Sequence, residues 1–249
     1  MTITDLAKGR YVARIAEGRC DIEAAQALRH LAFAGQDAKG GLECDRFDAQ
    51  CTHFLVEDHD TGELVCCFRI LPLSGGAEID RSYSAQFYEL SALTRFDGPM
   101  VEMGRFCIHP GKADPDILRV AWGAMTRYVD DNNVEMLFGC SSFKGTDAAS
   151  YLDAFTMLKD RHLAPRRWWP QVKAPSVFRF AQKLRQRPPN PKAAMQAMPP
   201  LLRTYLMMGG WVSDHAVVDQ KMNTLHVFTG LEIGAIPPAR KRLLRAVAQ

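Results

Sequence analysis

Val101-Glu102-Met103-Gly104-Arg105-Phe106-Cys107-Ile108-His109-Pro110 decides how this chain is read. Apolar residues predict a buried strand over 100–108, yet the strand carries an acid, Glu102, and a base, Arg105. Burying charge is costly unless the groups are paired or used. His109-Pro110 ends the strand, and Asp114 and Asp116 precede a helix predicted over Ile117 to Val129, at the positive end of its dipole. A strand that buries charge and then breaks into a helix is where chemistry is expected.

Outward from this stretch, Tyr11 to Ala16 predicts a first strand. A helix follows from Ile22 to Phe33, capped by Asp21 and stopped at Gly35. A polar loop, Gln36 to Asp48, leads to strands at Cys51 to Val56 and Leu64 to Leu71, joined by the turn Asp58-His59-Asp60-Thr61-Gly62. Ser84 to Leu93 reads as a short helix, Val134 to Cys140 as a strand, Ala148 to Lys159 as a helix, and Leu201 to Met208 as a helix stopped by Gly209-Gly210. Trp211 to Val218 and Met222 to Phe228 read as closing strands. The order predicts a mixed α/β (α+β) fold, with a mostly antiparallel sheet of about seven strands flanked by helices, not a run of βαβ units.

The 249 residues are 47% hydrophobic and 24% charged, ordinary for a soluble protein. Apolar runs are far shorter than a membrane span, and Met1 to Gly9 lacks the core of a secretion leader, so a cytoplasmic location is expected. Seven cysteines (20, 44, 51, 66, 67, 107, 140) form no CxxC pair and read as reduced, mostly buried thiols. The Cys44, Cys51, His53 spacing fits no zinc pattern, so no metal is expected.

The net charge of +3 hides a segregation. Arg161 to Lys192 holds nine basic residues and no acid, leaving 22 basic against 28 acidic residues elsewhere. A second basic cluster (Arg240, Lys241, Arg242, Arg245) ends the chain. Such patches imply an anionic partner or a solvated face. Arg166-Arg167-Trp168-Trp169 joins cations to aromatics. Ser176 to Arg187 sets Val177, Phe178, Phe180, Ala181 and Leu184 among Arg179, Lys183, Arg185 and Arg187, reading as an amphipathic helix for a membrane surface. The same cations suit an acidic carrier protein. Nucleic acid is a third partner for such a face, one not expected here.

At the level of motifs the chain resembles the GNAT acyltransferases, and within them the bacterial ornithine-acyl carrier protein N-acyltransferases that make lyso-ornithine lipid. The resemblance rests on Asp45-Arg46-Phe47-Asp48, Cys51-Thr52-His53-Phe54-Leu55-Val56, Phe68-Arg69-Ile70-Leu71, Phe87-Tyr88-Glu89-Leu90, Glu102 to Pro110, Leu137-Phe138-Gly139-Cys140-Ser141-Ser142-Phe143 and Tyr205 to Gly210, and covers about residues 10–230. Glu102 with Arg105, the aspartates and Arg69 is also similar to acyl-homoserine-lactone synthases. His109-Pro110-Gly111-Lys112-Ala113-Asp114 stands where a GNAT enzyme has a glycine-rich acetyl-CoA loop, which argues against a plain acetyltransferase and is compatible with acyl carrier protein as donor. The resemblance implies one GNAT-like domain over 1–249 with a basic amphipathic insertion at about 161–200. It also implies a 3-hydroxylated long-chain acyl donor on phosphopantetheine, L-ornithine as acceptor and no bound cofactor; the basic, tryptophan-bearing segment and a one-chain amphiphile as product add the expectation of work at the inner face of the cytoplasmic membrane.

For acyl transfer to an α-amine, a carboxylate must remove the ammonium proton. Glu102 is the candidate, and burial would raise its pKa toward working pH; its alternative role is an ion pair with Arg105 or Arg69. Arg69 or Arg105 would hold the acceptor's carboxylate by a guanidinium fork. Residues 102 and 105 face opposite sides of a regular strand, so sharing a pocket needs a bulge near Gly104, which would also free a backbone N–H for the thioester oxygen. Asp45 and Asp48 are candidates for ornithine's second ammonium, or else loop caps. His53 reads as a cleft residue or a satisfied core histidine. Ser141 and Ser142, placed after a strand end, are candidates for pantetheine contact or for protonating the thiol. Cys140 reads as buried, so direct attack in a ternary complex is preferred to an acyl-enzyme. The competing readings are an N-acyltransferase for another amino acid such as glutamine, an acyl-homoserine-lactone synthase using S-adenosylmethionine, and a membrane- or nucleic-acid-binding module without catalysis.

Overall fold

The computed structural model describes residues 6–34 and 40–248. Its strands are β1 (Leu6–Lys8), β2 (Tyr11–Ile15), β3 (Thr52–Asp58), β4 (Glu63–Leu73), β5 (Tyr88–Glu89), β6 (Met100–Ile108), β7 (Met136–Lys144), β8 (Gln171–Val172), β9 (Val177–Phe178), β10 (Trp211–Val212), β11 (Ala216–Asp219) and β12 (Thr224–Glu232). Its helices are α1 (Arg19–Ala34), α2 (Pro115–Asp131), α3 (Leu152–Arg161), α4 (Phe180–Lys183), α5 (Pro191–Ala197), α6 (Pro200–Met207) and α7 (Pro238–Ala248). Two compact units result: Met1–Pro72, Met103–Val134 and Pro238–Gln249 form the first, and Leu73–Glu102 with Glu135–Pro237 the second.

In the first unit the strand order is β1-β2-β3-β4-β6. The pairs β1–β2, β2–β3 and β3–β4 are antiparallel, with His53 opposite Arg69 and Leu55 opposite Cys67. α1 lays Ala25 and Leu28 on Leu55, Cys67 and Cys107. Phe54 stacks on Phe68, ring centroids 4.7 Å apart. α2 starts two residues earlier than expected, at Pro115, so Asp116 lies in its first turn; Asp114 caps it, its side chain accepting from the Asp116 N–H and also from the Tyr11 hydroxyl at 2.9 Å. In α7, Arg245 reaches Asp130 of α2 through two bonds of 2.9 Å.

In the second unit β12 pairs antiparallel with β7 over nine residues, Thr224↔Lys144 to Glu232↔Met136. β10 and β11 pair with β12, and β9 with β11. Phe143, Phe155, Phe180, Leu202, Val212, Leu225 and Val227 lie in one core cluster.

Several expectations are corrected here. About seven strands become twelve among the described residues, because β1, β5, β8, β9 and β10 are too short for alternation to register. Ser84 to Leu93 is not one helix. It holds a 3₁₀ turn at Ser84–Gln86, strand β5, and another 3₁₀ turn from Ser91. β7 runs on through Ser141 and Ser142. Ser176 to Arg187 forms β9 and the single turn α4 rather than an amphipathic helix; Phe180 and Leu184 are buried, with Phe180 stacked on Phe155 at 5.1 Å. The apolar residues that looked like a lipid-facing stripe are core. Of the seven cysteines only 66, 67 and 107 are fully buried. Gly35 and residues 36–39 of the proposed loop lie outside the described residues.

Candidate active site

β6 carries Glu102 at the edge of the second unit and Arg105 in the first. Glu102 is only 4% exposed and satisfied by donors from one short turn. The Tyr83 N–H donates to Oε2 at 2.6 Å; the Ser84 N–H and Ser84 Oγ donate to Oε1 at 2.7 and 2.5 Å. Bonds this short to a carboxylate oxygen are charge-assisted. The 3₁₀ turn at Ser84–Gln86 thus aims its leading N–H groups at Glu102. Ser84 Oγ also lies 3.4 Å from Cys140 Sγ. Burial raises the Tyr205 phenol well above its ordinary range, and the Glu102 charge raises it further. Ser84 thus links Glu102 to Cys140, and the buried Tyr205 phenol lies within reach of the Glu102 charge.

The arginines meet other acids. Arg69 forks onto Asp45, Nη1 to Oδ1 and Nη2 to Oδ2 both at 2.7 Å, and its Nη1 also binds Asp48 Oδ1. Arg105 donates from Nε to Glu43 at 3.0 Å and from Nη2 to Asp45 at 2.9 Å. Arg29, 1% exposed, holds Glu43 at 2.6 Å and Asp48 at 2.8 and 3.1 Å. Three guanidinium groups and three carboxylates therefore alternate in the first unit. Burial alone pushes the Asp48 carboxyl up, but hydrogen bonds and charge from Arg29 and Arg69 outweigh it and hold it far below the carboxylate range. Asp45 is depressed on the same balance, with Arg69 the dominant cation.

Asp45 shows how committed these groups are. Oδ1 accepts from Arg69 and from the Phe47 N–H at 2.9 Å; Oδ2 accepts from Arg69 and Arg105. About four acceptor sites are what a carboxylate has. Asp48 is likewise filled by Arg29, Arg69 and Gln26. An ornithine ammonium would have to displace an arginine from either one. Of the two roles expected for Asp45 and Asp48, loop capping is seen at Asp45, which accepts from the Phe47 N–H, and both residues hold arginines.

Arg105 has φ +53°, in the left-handed region disfavoured for side-chain-bearing residues. The break in strand geometry falls on Arg105, not Gly104, so the simple parity rule for 102 and 105 does not apply. His53 is buried, and its Nε2 donates to the Asp48 carbonyl at 3.0 Å, the arrangement of a satisfied core histidine. Ser141 and Ser142 are neighbours on β7, so they point to opposite faces. Ser141 is buried and accepts from Thr229 Oγ1 at 2.9 Å, while Ser142 is exposed. They cannot line one pantetheine path together, as a loop after the strand end would have allowed.

On the basic segment, Arg167 pairs with Glu232 at 2.9 Å and Arg187 with Asp153 at 3.1 Å. Arg166, Arg179, Lys183 and Arg185 are exposed and make no ion pair among the described residues. Trp168 is half-buried against Phe96, centroids 5.4 Å apart, and Trp169 is half-buried too. The tryptophans are half-folded in, while these four cations face water.

A GNAT acetyltransferase-domain family model matches residues 28–123, from α1 through β6 into α2. The L-ornithine N(alpha)-acyltransferase of Rhodobacter capsulatus is 31% identical over 239 residues, covering 91% of both chains. The chain belongs to the L-ornithine N(alpha)-acyltransferase family. The Rhizobium meliloti member is 29% identical, over 90% of this chain and 80% of its own. An N-acyl amino acid synthase from uncultured soil microbes shares the fold at TM-score 0.52 and 13% identity, covering 91% of this chain and 94% of that one. This ornithine acyltransferase family member is an acyltransferase enzyme with a GNAT-like fold.

Sequence reading of this family member missed Arg29, Glu43 and Ser84. Arg29 left a signal: residues 25, 28, 29 and 32 share one helical face, and a charge on that apolar stripe asks for buried partners. Ser84 left none, because its partner is 18 residues away through a turn that periodicity does not reveal.

Proposed function

We propose that this protein moves a 3-hydroxylated long-chain acyl group from the phosphopantetheine thioester of acyl carrier protein to the α-amino group of L-ornithine, forming lyso-ornithine lipid. The observation that carries this reading is the 31% identity over 91% of both chains with an enzyme named for that acceptor. Four relatives bearing that name match at 26–31% identity. Residues 1–249 act as one acyltransferase domain in this proposal.

Glu102 is the base in this reading. The α-ammonium gives a proton to its carboxylate, the freed amine attacks the thioester carbonyl, the carbon–sulfur bond breaks, and the departing thiolate is protonated. What supports it is a buried carboxylate held by three donors beside Cys140 and Tyr205. The exposed cations Arg166, Arg179, Lys183 and Arg185 suit the acidic carrier protein and the anionic inner face of the membrane, each contributing roughly 1 kcal/mol near such a surface. Among the described residues no helix is long and apolar enough to cross a membrane.

The test is purified protein with 3-hydroxyacyl carrier protein and, in parallel, ornithine, glutamine or S-adenosylmethionine, read by mass spectrometry. Nα-acylornithine as the main product supports the proposal; acylglutamine or an acyl-homoserine lactone replaces it with a rival.

A further inference from the structure

The turn that holds Glu102 also fixes the state of the neighbouring thiol. Ser84 is fully buried and has one hydroxyl proton. With Glu102 as a carboxylate, the state from which a base starts, that proton is donated to Oε1 at 2.5 Å, on the same oxygen the Ser84 N–H binds at 2.7 Å. The contact between Ser84 Oγ and Cys140 Sγ at 3.4 Å then has one donor left, the Cys140 S–H. A thiol that donates its proton is not the thiolate that covalent catalysis requires.

We propose that Ser84 is the positioning residue of the acyl transfer. Its amide and hydroxyl hold the Glu102 carboxylate in the geometry that accepts the amine proton, and its lone pair keeps the Cys140 thiol protonated. Held in that state Cys140 forms no thioester, in keeping with direct transfer from donor to amine. In that step the carbon–nitrogen bond forms as the carbon–sulfur bond breaks; the first proton lost by the ammonium rests on Glu102, and the second, lost as the amide forms, goes to the departing thiolate, which leaves as the thiol. This inference depends on Glu102 being the base.

The experiment compares full-length wild type with Glu102→Gln, Ser84→Ala, Ser84→Cys and Ser84→Thr. Ser84→Ala is expected to lower kcat by about 10- to 100-fold while KM for ornithine and for the acyl donor stay within about threefold, since positioning of a base acts on the transition state. Ser84→Thr, which keeps the hydroxyl, is expected to recover most of the loss, and Ser84→Cys, near-isosteric with a weak donor, to fall between. If Ser84→Ala does not fold, the Cys and Thr pair carries the same comparison. Acid-quenched wild type is expected to show no acyl mass on the Cys140 peptide.

Full kcat in Ser84→Ala beside an inactive Glu102→Gln overturns the role of Ser84 and leaves Glu102 as base. Full turnover in Glu102→Gln removes the base and this inference with it. A kinetically competent acyl adduct on Cys140 overturns the direct transfer.

Discussion

Arg69 and Asp45 meet in a two-bond fork, both bonds 2.7 Å, with Arg69 only 3% exposed. The pair sits within a ring of alternating charges that includes Asp48, Arg29, Glu43 and Arg105. Removing one member of a buried network leaves the others unpaired, which costs more than the net worth of the pair.

Arg69→Lys keeps the charge but loses the fork. We expect a loss of about 1–3 kcal/mol in urea unfolding, against about 3–5 kcal/mol for Arg69→Met, which strands Asp45 and Asp48. An unchanged midpoint for Arg69→Met would show that the ring adds nothing to stability.

Acid sensitivity should come in two stages. His226 is buried and its pKa is lowered to about 4, chiefly by desolvation. The unfolded imidazole titrates near 6.5. Below that value the unfolded chain takes up a proton that the folded chain refuses, so stability falls from about pH 6.5 to about 4, by about 3 kcal/mol for this group. Burial lowers His53 and His162 in the same direction. His226→Asn should flatten, without abolishing, the loss between pH 7 and 5; urea midpoints that do not change over that range in wild type would refute it.

The second stage belongs to Asp45 and Asp48. Their folded values are depressed, so their contribution is present above the unfolded value near 3.9 and disappears as pH falls through the folded ones. Circular dichroism below pH 4 should show unfolding at higher pH in Arg29→Met than in wild type.

Gly76→Ala should destabilise the protein by about 2–3 kcal/mol. A Cβ there would overlap the Leu93 carbonyl and crowd the Phe96 amide, all backbone, while the Gly76 N–H bonds Phe96 O at 2.7 Å. Thermal unfolding within a degree of wild type would contradict this.

Charge reversal of Arg166, Arg179 and Arg185 should raise KM for the carrier-borne donor and weaken sedimentation with anionic vesicles, both more strongly at low salt. It should leave kcat with a short pantetheine thioester unaltered. A KM indifferent to the three reversals would separate this face from donor binding.

The sequence by itself determined the longer elements. Alternation is local, so β3, β4, β6, α1 and α2 were legible from spacing, although α1 begins at Arg19 and takes the expected cap Asp21 into its first turn; the buried acid of β6 marked Glu102 because no apolar strand carries one without partners. The family was legible for the same reason, being a set of short local blocks. Which charge meets which was decided only by tertiary structure. Arg29 lies 19 residues from Asp48, Arg105 lies 60 from Asp45, and Ser84 lies 18 from Glu102. Pairing over such separations follows from strand order and from the left-handed turn at Arg105, neither of which leaves a period in the chain. Nor could composition tell a lipid-facing stripe from core at Phe180 and Leu184. Both present the same apolar residues, and only the presence of Phe155 and its neighbours, brought there by the fold, distinguishes them.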